Sequence, residues 1–118
     1  MDVLENGTIT EIWKFVEGKL QENKAPYSNL NATYEFQIID IQNSLYQVKF
    51  NNGDIEIKDQ QIAEADCTLK MKEKYVRKFL KGELNSTTAF MTGKLKVEGN
   101  IGLALKLEGV LKQYNFIG

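Results

Sequence analysis

The stretch Gly93-Lys94-Leu95-Lys96-Val97-Glu98-Gly99-Asn100-Ile101-Gly102-Leu103-Ala104-Leu105-Lys106-Leu107 constrains this chain most, because two structural periods meet inside it. From Lys94 to Glu98 charged and apolar residues alternate strictly, the period of a strand with one wet and one dry face. Gly99 interrupts the run, and Asn100 is placed to cap a following helix. From Ile101 onward the apolar residues are too dense for such a strand and fit a helix reaching Tyr114. Leu103, Leu107, Val110, Leu111 and Tyr114 share one side, while Ile101, Ala104 and Leu105 widen the apolar arc to roughly 200°, against the ~100° stripe that packing on a core requires. A helix this apolar is either buried on both sides or borders a hollow.

The chain before it reads as alternating signals of the same two kinds. Thr8-Ile9-Thr10-Glu11 has capping-box spacing, and Ile9, Ile12, Trp13, Val16 and Leu20 recur at three and four, which predicts an amphipathic helix to Glu22. Phe15 falls off that stripe, and Gly18 weakens it. Asn23 to Asn31, with the only proline, Pro26, reads as a loop. Three strands follow, marked by Tyr34, Phe36 and Ile38, then Tyr46, Val48 and Phe50, then Ile55 and Ile57, with Gln42-Asn43-Ser44 and Asn52-Gly53 as turns. Ile39 and Ile41 sit on the opposite face, which calls for a bulge near Asp40 or a partly covered back face. A fourth strand, Asp66 to Met71, turns Cys67, Leu69 and Met71 to one side. Lys72 to Leu80 predicts a helix closed by Gly82, and Asn85 to Thr88 cap a short one that Gly93 ends. The expected architecture is α+β: a single five-stranded mixed sheet with one polar face and helices packed on the other.

Composition narrows the chemistry. Residues 1–118 form one domain by size, and 42% hydrophobic with 26% charged residues is the balance of a folded chain. Fifteen basic and sixteen acidic side chains leave a net charge of −1, so no global positive field invites nucleic acid. There is no histidine and a single cysteine, which excludes histidine-based triads, HExxH zinc sites and an internal disulfide. Cys67 lies on an apolar strand face without a basic neighbour, the setting of an inert thiol. Asp54, Glu56 and Asp59 read as a solvated strand face. Gly99-Asn100-Ile101-Gly102 has neither dinucleotide nor phosphate-loop spacing. The expectation is therefore no catalytic residue, no metal and no cofactor. No apolar run approaches the ~20 residues of a spanning helix, and the acidic Met1-Asp2-Val3-Leu4-Glu5 is unlike a signal peptide, so a cytoplasmic protein is expected.

Two features remain. Lys70, Lys72, Lys74, Arg77, Lys78 and Lys81 form a basic cluster. It reads either as a solvated helix face balanced by Glu73 and Glu83, or as a weak dock, through Lys72, Arg77 and Lys78, for an anionic membrane or a coenzyme A phosphate. The second is an apolar surplus. Trp13, Phe15, Phe79, Leu80, Phe90, Met91, Ile101 and Leu105 add large side chains to a layer already facing Phe36, Val48 and Phe50. These form a solid core or line an adaptable hollow.

The run from Phe90-Met91-Thr92-Gly93 through Lys94-Leu95-Lys96-Val97-Glu98-Gly99-Asn100 into the apolar helix Ile101–Leu107 closely resembles the signature of the sterol carrier protein 2 (SCP-2) family. Ala65-Asp66-Cys67-Thr68-Leu69 resembles its fourth strand, and Gly82-Glu83-Leu84-Asn85 the loop after its second helix. The resemblance implies a five-stranded sheet with helices enclosing an apolar tunnel, and non-enzymatic binding of fatty acids, fatty acyl-CoA, phospholipids or sterols. By position it implies Phe90, Ile101 and Leu105 as lining residues. Together with the apolar surplus the expected lipid-binding set is Trp13, Phe36, Val48, Phe79, Leu80, Phe90, Met91, Ile101 and Leu105. Thr92 and Glu108 stand where animal members often carry glutamine, which points from sterol toward fatty acyl chains. The competing expectation is a protein-interaction or dimerisation module whose surface includes Ile39, Ile41, Phe116 and Ile117, or an accessory domain that presents an apolar substrate to a separate enzyme.

Overall fold

The computed structural model describes residues 6–114 and Phe116; Ile117 lies outside the described residues. Helix α1 (Ile9–Glu22) opens with the expected capping box, in which Thr8 Oγ1 accepts from the Glu11 amide at 3.2 Å and Glu11 Oε1 accepts from the Thr8 amide at 2.8 Å. Each bond satisfies an amide that has no partner within the helix. The loop beyond it holds a 3-10 turn, Ala25–Tyr27, around Pro26. Strands β1 (Asn31–Ile38), β2 (Leu45–Asn51) and β3 (Asp54–Lys58) make an antiparallel meander. Asn52 and Gly53 form the tight turn with φ of 47° and 96°. Strand β4 (Cys67–Met71) runs parallel to β1 with Tyr34 opposite Cys67. Helices α2 (Glu73–Leu80) and α3 (Ser86–Met91), strand β5 (Leu95–Gly99) and helix α4 (Ile101–Leu111) complete the chain. The sheet order is β3-β2-β1-β4-β5, a five-stranded mixed sheet of the expected α+β class. Among the described residues no helix is long and apolar enough to cross a membrane.

The alternation seen in the sequence decides which face meets the helices. Tyr34, Phe36, Ile38, Val48, Phe50, Cys67, Leu69, Met71 and Leu95 are buried on the helix side, against Ile12, Trp13, Val16, Leu20, Phe79, Leu80, Leu107 and Leu111. Positive φ at Gly99 turns the chain from β5 into α4, and a Cβ there would stand 2.6 Å from the Asp66 carbonyl oxygen. Only glycine fits that approach. Asn100 occupies the N-cap position of α4, but its side chain makes no capping hydrogen bond, contrary to expectation.

The back face is polar but partly covered, the second of the two alternatives that Ile39 and Ile41 left open. Thr33, Glu35 and Gln47 are buried there, because residues 59–66 fold across it. Gln47 Oε1 accepts from the amides of Ile62 and Ala63 at 2.9 and 3.1 Å, and Gln47 Nε2 donates to the Ala63 carbonyl at 2.8 Å and to Glu35 at 2.9 Å. Ile39 requires no bulge: β1 ends at Ile38, and the Ile39 amide donates to the Met71 carbonyl at 3.0 Å. Helix α4 stops at Leu111 rather than Tyr114, and the chain then turns so that Phe116 is buried with its ring 6.3 Å from that of Phe15. That contact accounts for Phe15 and removes Phe116 from any exposed partner surface.

Candidate functional site

Among the described residues, two apolar spaces lie between the sheet and its helices. The inner one is a seam bounded by Trp13, Val16 and Leu20 of α1, by Phe36, Val48, Phe50, Ile55 and Ile57 of the sheet, and by Leu80, Leu107 and Leu111. Where the family resemblance implied an apolar tunnel, the seam holds about 10 Å³. A space of that size takes one water at most, and an apolar one stays dry. Trp13 packs edge-on to Phe36 with centroids 5.0 Å apart, and Phe36 packs edge-on to Phe79 at 5.7 Å. These rings pack into the layer between the sheet and its helices.

The outer space is a cleft of about 70 Å³ between α3, β5 and α4. Leu95, Val97 and Ala104 form its floor, and Phe90, Ile101 and Leu105 its rim, with Ser86 and Thr87 at one end. The rim residues are 45%, 49% and 47% exposed, and Met91, at 79%, points the same run of apolar surface outward beside them. Among the described residues, four of the six exposed large hydrophobics thus lie on α3 and α4. Isolated apolar side chains on a surface are ordinary; these are grouped around a cleft.

The cleft is built by local and long-range ties together. Asn85 Oδ1 accepts from the Thr88 amide at 2.9 Å and starts α3. Glu108 Oε1 accepts from the Ser86 amide at 2.8 Å while Glu108 Oε2 accepts from Lys112 at 2.7 Å, so α3 is pinned to α4. Burial pushes the Glu108 carboxyl upward, but the hydrogen bonds from Lys112 and Ser86 outweigh it and hold it below the usual carboxylate value. Positive φ at Gly93 ends the turn between α3 and β5. No local pattern marks Glu108 as the residue that joins the helices, or Leu95, Val97 and Ala104 as the floor.

The expected set therefore divides. Phe90, Ile101 and Leu105 meet at the cleft; Met91 lies outside it; Trp13, Phe36, Val48, Phe79 and Leu80 are buried in the core around the seam. On α2, Arg77 is engaged by Glu73 at 2.8 Å and by the Gly7 carbonyl at 2.9 Å, which leaves Lys72 and Lys78 as the exposed cations of the expected anion dock. Cys67 is fully buried, and burial pushes its thiol up to about 11, so it stays protonated at neutral pH.

The family model for the SCP-2 sterol transfer family matches residues 14–112. The chain belongs to that family. Among curated relatives, sterol carrier protein 2 of Gallus gallus is 31% identical over 106 residues, covering 86% of this chain and 19% of the chicken protein. The chain thus spans about a fifth of the length of the first curated relatives it matches. Among solved structures, the sterol carrier protein domain 2 of Helicoverpa armigera superposes with a TM-score of 0.74 at 23% identity, covering 89% of this chain and 86% of that one. Sterol carrier protein 2 of Aedes aegypti in complex with palmitate superposes with a TM-score of 0.61 at 20% identity, covering 86% of this chain and 94% of that one. These likenesses establish the SCP-2 fold, whose sheet, helix layer and element order are those described above.

Proposed function

We propose that this SCP-2 domain is a non-enzymatic carrier that binds the hydrocarbon chain of a fatty acid or fatty acyl-CoA between its sheet and its helices. The observation that carries this is the rim of half-exposed Phe90, Ile101 and Leu105 around the cleft that α3, β5 and α4 enclose. The palmitate complex of the mosquito family member supports an acyl chain as the ligand class. Each methylene removed from water contributes about 0.8 kcal/mol, so an apolar space binds such a chain without any polar group. The seam is too small to hold one as it stands, and entry of the chain displaces the helix layer from the sheet. Of the expected dock, Lys72 at the N-cap of α2 and Lys78 within it are exposed and serve an anionic membrane or a coenzyme A phosphate.

A urea titration with and without palmitoyl-CoA tests the reading. The midpoint rises with ligand, because a molecule that binds the folded state alone stabilises it by mass action. An unchanged midpoint, together with native mass spectra that stay free of lipid after exposure to fatty acids, acyl-CoA and sterols, overturns it. The filled seam and the protruding Met91 also favour a second reading, in which the α3–α4 face is covered by a second copy or by an enzyme to which the domain presents an apolar substrate. A protein that ignores lipid but sediments as a dimer, and becomes a monomer on Met91→Glu, supports that alternative.

A further inference from the structure

A groove of about 220 Å³ runs between α1 and the β3 edge of the sheet, the edge opposite the β5 strand that borders the α3–α4 cleft. Trp13 and Ile57 line both this groove and the seam, so together they are the partition between the two spaces. The groove side carries polar groups that the seam lacks. Lys14 and Lys58 are exposed there and form no ion pair among the described residues. The Tyr46 hydroxyl and Thr10 Oγ1 are hydrogen-bonded to one another at 3.1 Å. Of the two carboxylates, Glu17 is committed to the β3 edge, where its Oε2 accepts from the Ile57 amide at 3.1 Å. Asp59 is the other, and it offsets the lysines in part.

Trp13 is suited to be a movable part of that partition. Its ring is held by stacking on Tyr46, with centroids 5.3 Å apart, and by the edge contact with Phe36. Its Nε1 is buried without a hydrogen-bond acceptor among the described residues. Turning the indole therefore breaks no hydrogen bond, and leaves a buried donor no worse satisfied than before.

We infer that the α1–β3 groove is the head-group end of the lipid site: a single-chain amphiphile places its anionic head by Lys14 and Lys58 and threads its hydrocarbon past Trp13 and Ile57 into the seam. The assignment rests on the carrier reading above and adds the ligand's polarity and direction. An ammonium on a long apolar stem serves such a site well, since the stem covers apolar surface while the charge remains in water beside the head group. The α3–α4 cleft then receives the far, methyl end of the chain.

Trp13 is the only tryptophan, so its fluorescence reports this location alone. The experiment titrates the full chain at pH 8 with stearate spin-labelled at carbon 5 or at carbon 16. The carbon-5 label, near the carboxylate, is expected to quench Trp13 more strongly than the carbon-16 label. In parallel, the double variant Lys14→Glu/Lys58→Glu is expected to weaken palmitate binding at least about fivefold while changing hexadecanol binding less than about twofold, the scale of exposed charge pairs. Stronger quenching by carbon 16, or equal weakening for acid and alcohol, overturns the head-group assignment and leaves the carrier reading standing. Wild-type protein that binds neither stearate overturns both.

Discussion

The Tyr34 hydroxyl, on the central strand, donates to the Leu103 carbonyl in the first turns of α4 at 2.8 Å. It is a direct polar tie between the middle of the sheet and the helix over the cleft. Tyr34 is fully buried, and burial pushes its phenol well above the ordinary value, so the hydroxyl remains a donor at any physiological pH.

Tyr34→Phe keeps the ring and its edge contact with Phe50 but removes that tie. The expected loss of stability is about 1 kcal/mol, the net worth of one such hydrogen bond. Urea titration measures it, and hydrogen exchange should show the excess protection lost first in α4. Protection lost evenly over the chain would show that the bond does not anchor the helix.

Leu105 and Leu107 are close in sequence yet lie in different surroundings. Leu105→Trp adds bulk at a half-exposed rim, so the urea midpoint should stay near that of the wild type while acyl-chain uptake falls. Leu107→Ala empties a buried site beside the seam and should cost roughly 2–5 kcal/mol. A strongly lowered midpoint for Leu105→Trp would mean that the cleft is part of the packed core.

Gln47→Ala should release residues 59–66 from the back face. It removes the acceptor of two amides and one of the two glutamine donors to buried Glu35, so a loss of roughly 2–3 kcal/mol is expected. Limited proteolysis should cut between Asp59 and Asp66 faster in the variant than in the wild type. Equal cleavage rates would show that the strap is held by something other than Gln47.

Cys67 makes stability fall in alkali. Its thiol ionises at about 11 in the folded chain against an ordinary value of 9.0. Over the interval between those values the unfolded chain binds fewer protons than the folded one, so stability is lost as pH rises through it. The urea midpoint should therefore drop between pH 9 and 11, and less so in Cys67→Ala. Thiol labelling at pH 8 should be slow in the native protein and fast in urea; rapid native labelling would contradict the burial.

Features that depend on a few neighbouring residues were determined by the sequence itself. The capping box at Thr8, the Asn85 cap, the Asn52-Gly53 turn and the strand faces all rest on backbone geometry and on periods of 2 and 3.6 residues. The same local order from Phe90 to Leu107 carried the family resemblance, and with it the sheet and helix layer. Asn100 shows the limit even there, since the right residue at the N-cap position makes no capping bond.

Tertiary structure alone decided the burial of Glu35 and Gln47, because the amides that satisfy Gln47 belong to a loop whose own sequence carries no period. It also decided which large apolar residues fill the core and which rim a cleft. Phe79 and Phe90 are the same residue type on successive helices, one 1% and the other 45% exposed. Hydrophobicity favours burial of both but does not say against what. The distance between α3 and α4, set by Glu108 reaching the Ser86 amide, and the partition made by Trp13 and Ile57 depend on how whole elements approach one another. Burial is a property of the space between elements, and that space exists only once they have packed.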